Sequence, residues 1–253
     1  MHKLLDKVAV VAGGGAGIGA VTVERLAREG AAVVIGDLDG ERAESLAQCI
    51  RAEGGQALGV RCDISDDASV AALIAVAVAE FGGIDLMHVN AADMKSLLQD
   101  SNVLDVPLEI FDRTMAVNLR GHFLCTRHAV PALLERGGGA IIYISSAAAF
   151  MGEPERVCYG MSKSGLHGLM RHVASAWGKQ GIRANVIAPG LVITDENGPT
   201  MPEQFKQEVL SVTRSRRLGQ SQDIAGAVAF LASDDGEWIN GQVLGVDGGV
   251  YLR

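Results

Sequence analysis

Tyr159 and Lys163 stand four residues apart within residues 155–177, a segment whose pattern after Pro154 predicts a helix. That spacing puts both side chains on one helical face. An ammonium beside a phenol favours the phenolate, so the pair predicts a tyrosine pKa lowered toward the range useful for proton transfer. Ser146 precedes Tyr159 by 13 residues and ends a β-branched run, where its hydroxyl could hold a carbonyl oxygen. Asn118 lies within residues 112–134, which also read as helix. Asparagine is a poor helix former because its amide competes for backbone partners. Read alone, it is more often a solvated helix residue.

Side chains placed this way need a rigid frame, and the glycines mark one. Glycine supplies 32 of 253 residues and proline only 6, with no three-residue period, so collagen is excluded. Apolar residues make up 48%, enough to bury a core, which excludes a disordered chain. Apolar, mostly β-branched runs cover residues 31–36, 56–61, 84–89, 140–144 and 182–188, and glycine stands immediately before each. Segments of helical period, such as 41–53 and 70–81, end at those glycines. Glycine just past a helix supplies the left-handed residue that stops it. The repeated unit is therefore helix, glycine, strand, with residues 7–12 as a first strand. Near-continuous apolar strands alternating with helices predict a parallel sheet covered on both faces. A closed eightfold barrel shares this grammar. The first strand-to-helix turn decides for an open, doubly wound α/β sheet of Rossmann type, a single domain over 1–253.

That turn reads Ala12-Gly13-Gly14-Gly15-Ala16-Gly17-Ile18-Gly19. Glycines let the backbone approach a pyrophosphate, whose charge the amides of a helix N-terminus hold. Taken alone the turn is also a plain tight connection. Its position after a strand, before a helix and ahead of Asp37 favours the dinucleotide. Asp37 at the end of the second strand can take both ribose hydroxyls and would repel a 2′-phosphate. No Lys or Arg lies in the turn, and none follows Asp37 until Arg42. NAD(H) is expected over NADP(H). The alternative for Asp37 is an N-cap of the next helix, which Asp39 could equally supply.

With these residues in view, the chain resembles the short-chain dehydrogenase/reductase family over essentially its whole length. The family's TGxxxGIG turn appears as Ala12-Gly13, then Gly17-Ile18-Gly19; its adenine-binding aspartate matches Asp63, followed by Ile64. Its NNAG segment matches Val89-Asn90-Ala91-Ala92, its helical asparagine Asn118, and its serine, tyrosine and lysine Ser146, Tyr159 and Lys163. The PGxxxT segment is Pro189-Gly190-Leu191-Val192-Ile193-Thr194. The closing stretch runs from Phe230 to Ser233, then Gly241, then Val246 to Gly249. The resemblance implies hydride transfer between nicotinamide and a carbon bearing oxygen, hence an NAD-dependent oxidoreductase acting on a secondary alcohol or its ketone. It implies that Tyr159 exchanges the proton, that Ser146 binds the same oxygen, and that Lys163 holds the nicotinamide ribose. Asn118 would hold a relay water. Gly13, Gly17, Ile18, Gly19, Asp37, Leu38, Asp63, Ile64, Asn90, Ala91, Pro189, Gly190, Val192 and Thr194 would line the cofactor, the carboxamide lying at Val192 and Thr194. Ser146, Phe150, Met151, Arg156 and Leu191 would face the substrate under a covering segment at 195–217, and their composition favours a hydrophobic or alicyclic alcohol. A homotetramer through segments 112–134 and 155–177 is implied as well. An NADPH-dependent ketone or 3-oxoacyl-carrier reductase is one alternative, which Asp37 disfavours. A non-catalytic NAD-binding regulator is another, which the intact set of four disfavours.

The chain departs from the family pattern at Ala12, Val89 and Ala92. Two of these replace a hydrogen-bonding side chain in what the family's topology makes adjacent strands, so apolar packing is expected to replace a polar link. Formal charge is −8, without a basic stripe or stacking aromatics, so nucleic acid is not an expected partner. The apolar run at 71–79 is about half a bilayer span, and no membrane is expected. Lys3 and Lys7 ahead of 8–12 could mimic a signal peptide, but glycines and then Glu24 and Arg25 follow. Cys49, Cys62, Cys125 and Cys158 lack a CxxC spacing, which suits free thiols and a cytoplasmic setting. His88, His122, His128, His167 and His172 show no HExxH pairing, so no metal is expected and they read as satisfied or surface histidines.

Overall fold

The computed structural model describes residues 3–252; Met1, His2 and Arg253 lie outside the described residues. Strands β1 (Val8–Ala12), β2 (Ala32–Asp37), β3 (Gln56–Arg61), β4 (Leu86–Val89), β5 (Gly139–Ile144) and β6 (Ile182–Pro189) run parallel. Short strands β7 (Val192–Ile193) and β8 (Gly219–Gln220) pair with each other, and β9 (Val243–Val246) joins β6. The main sheet has seven strands in the order β3-β2-β1-β4-β5-β6-β9. Strand order reverses between β1 and β4, and the crevice beyond the carboxyl ends of strands at such a reversal is where this architecture binds ligands.

Side-chain alternation gives each strand two buried faces. On one face Val10, Met87 and Tyr143 pack under α3 (Asp67–Phe81), α6 (His122–Glu135) and α7 (Val157–Trp177). On the other, Val11, Ile35 and Ile142 pack under α1 (Gly17–Arg28), α2 (Gly40–Ala52) and α9 (Ser221–Ala232). Burying a valine such as Val10 or Val11 is worth about 1.5–3 kcal/mol, so a charge at either position would break the sheet's centre. The remaining helices are α4 (Met94–Leu97), α5 (Leu108–Met115) and α8 (Glu203–Val212). The doubly wound Rossmann-type sheet expected from the glycine pattern is the fold observed.

The helix stops are those expected. Gly82 ends α3 at φ 77°, and Gly30, Gly54, Gly137 and Gly181 occupy the same left-handed region. The helix expected over 112–134 differs in kind: α5 and α6 are joined without a break by a π-helical segment, Ala116–Gly121, which contains Asn118. The helix expected from 155 begins at Val157, because Arg156 is held in the left-handed region at φ 62°.

Candidate active site

The glycine turn is built by close backbone approach. Gly13 and Gly14 donate to the Gly36 carbonyl, and the Ala12 carbonyl accepts from Asn90 and Ala91 at 2.9 Å each. The Asn90 carboxamide donates to the Gly13 carbonyl at 2.7 Å. A Cβ on Gly13 would lie 2.6 Å from the Ala91 backbone, and one on Gly19 would run into the Gly13 carbonyl, so these two positions require glycine. Helix α1 starts at Gly17 with no capping side chain and no acidic residue in its first turn, which leaves its amides for an anion. Thr194 faces this cradle, its methyl 3.7 Å from the Cβ position of Gly17. These residues fit a dinucleotide pyrophosphate.

At the adenosine end, Asp37 accepts the N–H groups of Gly15 at 2.8 Å and of Asp39 at 3.0 Å. Asp39, not Asp37, caps α2, accepting the Arg42 N–H at 3.1 Å. Leu38 is exposed beside Asp37. Asp63 is bound by the Ser65 N–H and hydroxyl; burial raises its pKa, but those hydrogen bonds and Arg113 and Arg61 outweigh this and hold it below the usual carboxylate value. Ile64 turns its side chain into the core, so only its backbone is offered to a cofactor. Across the groove, Pro189 ends β6 and Gly190 donates to the Val246 carbonyl. Val192 packs in the core, and Thr194 is locked by reciprocal bonds with Asn197 at 2.9 and 3.2 Å.

Ser146, Tyr159 and Lys163 converge where β5 ends, and Asn118 lies just past the end of β4, against Asp93. Ser146 closes β5 and accepts the Ala148 N–H at 3.1 Å. Lys163 is 1% exposed, its Nζ 5.7 Å from the Tyr159 ring centroid and donating to the Ile144 carbonyl at 2.8 Å. Burial pushes the Lys163 pKa down to about 7. The lowered tyrosine pKa expected from the pair is corrected by the structure: burial raises the Tyr159 pKa, and the lowering influences are the hydrogen-bonded Ser146 hydroxyl and Arg156. Asn118 is not solvated but fully buried; the wide π turn swings it inward, where its Oδ1 accepts the Asp93 N–H at 2.8 Å.

Toward the substrate side, Phe150 lies 4.9 Å from the His167 ring and 6.5 Å from Tyr251, and Met151 is exposed nearby. Arg156 is tied to Glu153 at 2.6 Å. Leu191 lines a cavity of about 280 Å³ with Thr213, Ser215, Ile224 and Gly248. Three residues the sequence did not single out also reach the site. Asp100 caps the helix carrying Tyr159, Glu196 reaches across the cradle to Arg42 at 2.9 Å, and Tyr251 joins the aromatic corner. Only Glu196, close behind the PGxxxT segment, carried a sequence signal.

Two histidines correct the expectation that all are satisfied or superficial. His88 and His122 are both fully buried, and three of their four ring nitrogens lack a hydrogen-bond partner. Among the described residues no group of His, Cys, Asp and Glu is arranged to hold a metal, and no helix is long and apolar enough to cross a membrane.

Residues 13–251 match the family model described as enoyl-(acyl carrier protein) reductase. A probable short-chain type dehydrogenase/reductase of Bradyrhizobium diazoefficiens is 40% identical over 100% of this chain and 90% of its own length. The cis-4-hydroxycyclohexanecarboxylate dehydrogenase of Sinomonas cyclohexanicum is 39% identical, covering 96% of each chain. A solved 7α-hydroxysteroid dehydrogenase, complexed with NADH and 7-oxoglycochenodeoxycholic acid, superposes with a TM-score of 0.91 at 35% identity, over 98% of this chain and 95% of that one. With these similarities along its full length and a nucleotide cradle facing a serine, tyrosine and lysine, the chain belongs to the short-chain dehydrogenase/reductase family of oxidoreductases.

Proposed function

We propose that the protein interconverts a hydrophobic or alicyclic secondary alcohol and its ketone, using NAD(H) in preference to NADP(H). The observation that carries this reading is the convergence of Ser146, Tyr159 and Lys163 at the end of β5, opposite the cradle of Gly13, Gly17 and Gly19. The nicotinamide, when bound, supplies the hydride acceptor. Ser146 donates its hydroxyl to the substrate oxygen and stabilises its developing charge. Tyr159 Oη takes the proton from the alcohol, and gives it back in reduction. Lys163 holds ribose hydroxyls through its remaining N–H groups, its Nζ 5.7 Å from the Tyr159 ring centroid. Asp37 selects the cofactor: its carboxylate is fixed by two backbone N–H groups, accepts ribose hydroxyls, and repels a 2′-phosphate. Residues 195–217 cover the substrate, with Phe150, Met151 and Leu191 as apolar walls and Arg156 at the rim.

The names of the relatives, which describe alicyclic and steroid alcohols as substrates of those proteins, support the substrate class. Exposed Phe123 on α6 and Met161 on α7 suit a homotetramer built on those helices. The free cysteines suit a cytoplasmic setting. The test is an NAD-reduction screen over steroid, alicyclic, aromatic and polyol alcohols, repeated with NADP and with Tyr159→Phe. Turnover of an apolar ring alcohol with NAD, lost in Tyr159→Phe while NADH binding persists, is the expected result. Equal efficiency with NADP, or turnover surviving in the variant, overturns the corresponding assignment.

A further inference from the structure

The polar groups behind Lys163 are more numerous than the proposed reaction uses. His122 follows Asn118 by four residues, at the end of the π-helical segment, and the two share one helical face. Both are fully buried. Neither ring nitrogen of His122 has a hydrogen-bond partner in the protein, and the Asn118 Nδ2 has none either. The carbonyls of Val117 and Val89 approach the imidazole and favour its protonated form, without the geometry of a hydrogen bond. Burial, first, and the charge on Lys163, second, act the other way and hold His122 well below the usual histidine pKa. The other groups facing the ring are His88 from β4, neutralised by burial with a pKa near 4, and the Tyr143 ring from β5, 6.3 Å away. Tyr143 is satisfied by Thr126 at 2.8 Å, so it is not a partner for His122.

A buried polar atom without a partner costs roughly 1–3 kcal/mol, and here three such atoms belong to two residues one turn apart, one of which feels the charge on Lys163. A buried water needs two to four polar partners. Asn118 Nδ2 and Lys163 Nζ can donate to it, while a bare ring nitrogen of His122 and a carbonyl of Val89 or Val117 can accept from it. The other ring nitrogen keeps its hydrogen, so the ring is a neutral tautomer. Resting on the reading of Tyr159 and Lys163 as the acid–base pair, we propose that His122 is a positioning residue for that pair: its neutral imidazole holds, with Asn118, a buried water that orients the Lys163 ammonium. No proton leaves the site through His122. Its role is to stay neutral and accept.

The test uses the full-length protein with His122→Leu and His122→Gln, pH profiles of kcat for alcohol oxidation, and ¹⁵N imidazole spectra of the wild type without cofactor. His122→Leu should lower kcat about tenfold and move the limb assigned to Tyr159 by roughly one pH unit, with KM for NAD unchanged. His122→Gln, which keeps an acceptor, should restore most of both. In the wild type, His122 should remain a single neutral tautomer from pH 5 to 9 and show a cross-peak to a long-lived water. A pH limb unmoved in His122→Leu, or a uniform loss not rescued by glutamine, overturns the proposal, as does an imidazolium at pH 7. Should His122→Leu fail to fold, the wild-type spectra decide. Should no alcohol be turned over, the functional reading fails, while the spectra still test the hydrated histidine.

Discussion

Asp100 Oδ2 accepts the backbone N–H of Tyr159 at 2.8 Å, and its Oδ1 accepts that of Cys158 at 3.2 Å. Helix α7 has no capping side chain of its own, since Arg156 at the N-cap is turned away in the left-handed region. A carboxylate 8% exposed thus caps, from a distant loop, the helix that carries both Tyr159 and Lys163. It also places negative charge at the positive end of the helix.

Removing that cap should loosen the tyrosine before it unfolds the protein. Caps of this kind are worth about 0.5–2 kcal/mol. Asp100→Asn keeps an acceptor and should cost less than Asp100→Ala, for which a loss of about 1–2 kcal/mol is expected in urea unfolding. In both, kcat should fall more than KM for NAD rises, because the shift is felt at Tyr159 rather than in the cradle. Unchanged kcat and stability in Asp100→Ala would show that the cap is dispensable.

What the sequence reveals and conceals divides along this line of local against distant. Glycine stops, apolar runs and the spacing of Ser146, Tyr159 and Lys163 are local patterns, and each strand they announce is present within a residue or two. The position of Asp37 was legible because it closes the second apolar run as the last residue of β2. The Asp100 cap spans 59 positions to Tyr159, and the Arg42–Glu196 pair spans 154, so no periodicity announces either. The inward turn of Asn118 was not legible, because a helical period of 3.6 residues cannot foresee one wide turn. The tyrosine's raised pKa was missed for a related reason. Charge partners can be read from spacing, but desolvation depends on everything packed around the phenol.

The Ala12 and Val89 departures now have a geometry. The two residues are register partners on β1 and β4, both fully buried in the same apolar cluster. Adding one polar group there leaves it without its partner, at a cost of about 1–3 kcal/mol. Ala12→Thr alone should therefore give no gain in stability, and Val89→Asn alone a loss. The double variant should lose less than the sum of the singles. A gain above about 1 kcal/mol from Ala12→Thr by thermal or urea unfolding would refute the coupling.

Glu196 lies 3.4 Å from the Cβ position of Gly17 and pairs with Arg42 at 2.9 Å. Both side chains are half exposed, so the pair itself contributes at most about 1 kcal/mol to stability. Its consequence is for binding, because a carboxylate beside the cradle opposes a pyrophosphate. Repulsion of about 1 kcal/mol at a solvated site corresponds to roughly fivefold in affinity. Glu196→Gln should tighten NADH binding by that factor in a fluorescence titration, with the gain shrinking as salt is raised. Equal Kd values at low salt would mean that Glu196 swings clear before the cofactor arrives.

Lys163 carries the clearest pH signature. Burial holds its pKa near 7 in the folded protein, against an ordinary value of 10.5 when unfolded. Between those values the unfolded chain binds the extra proton and the folded one does not, so this residue's contribution to stability rises with pH across the window, by up to about 1.4 kcal/mol per unit. Below pH 7 both states are protonated, and the cost of burying the ammonium is constant. Lys163→Met keeps the stem and removes the titration. Urea unfolding at pH 7.5, 8.5 and 9.5 should show the wild type gaining on the variant at each step. Curves that stay parallel would place the ammonium in a better-solvated site than its burial against the Ile144 carbonyl describes.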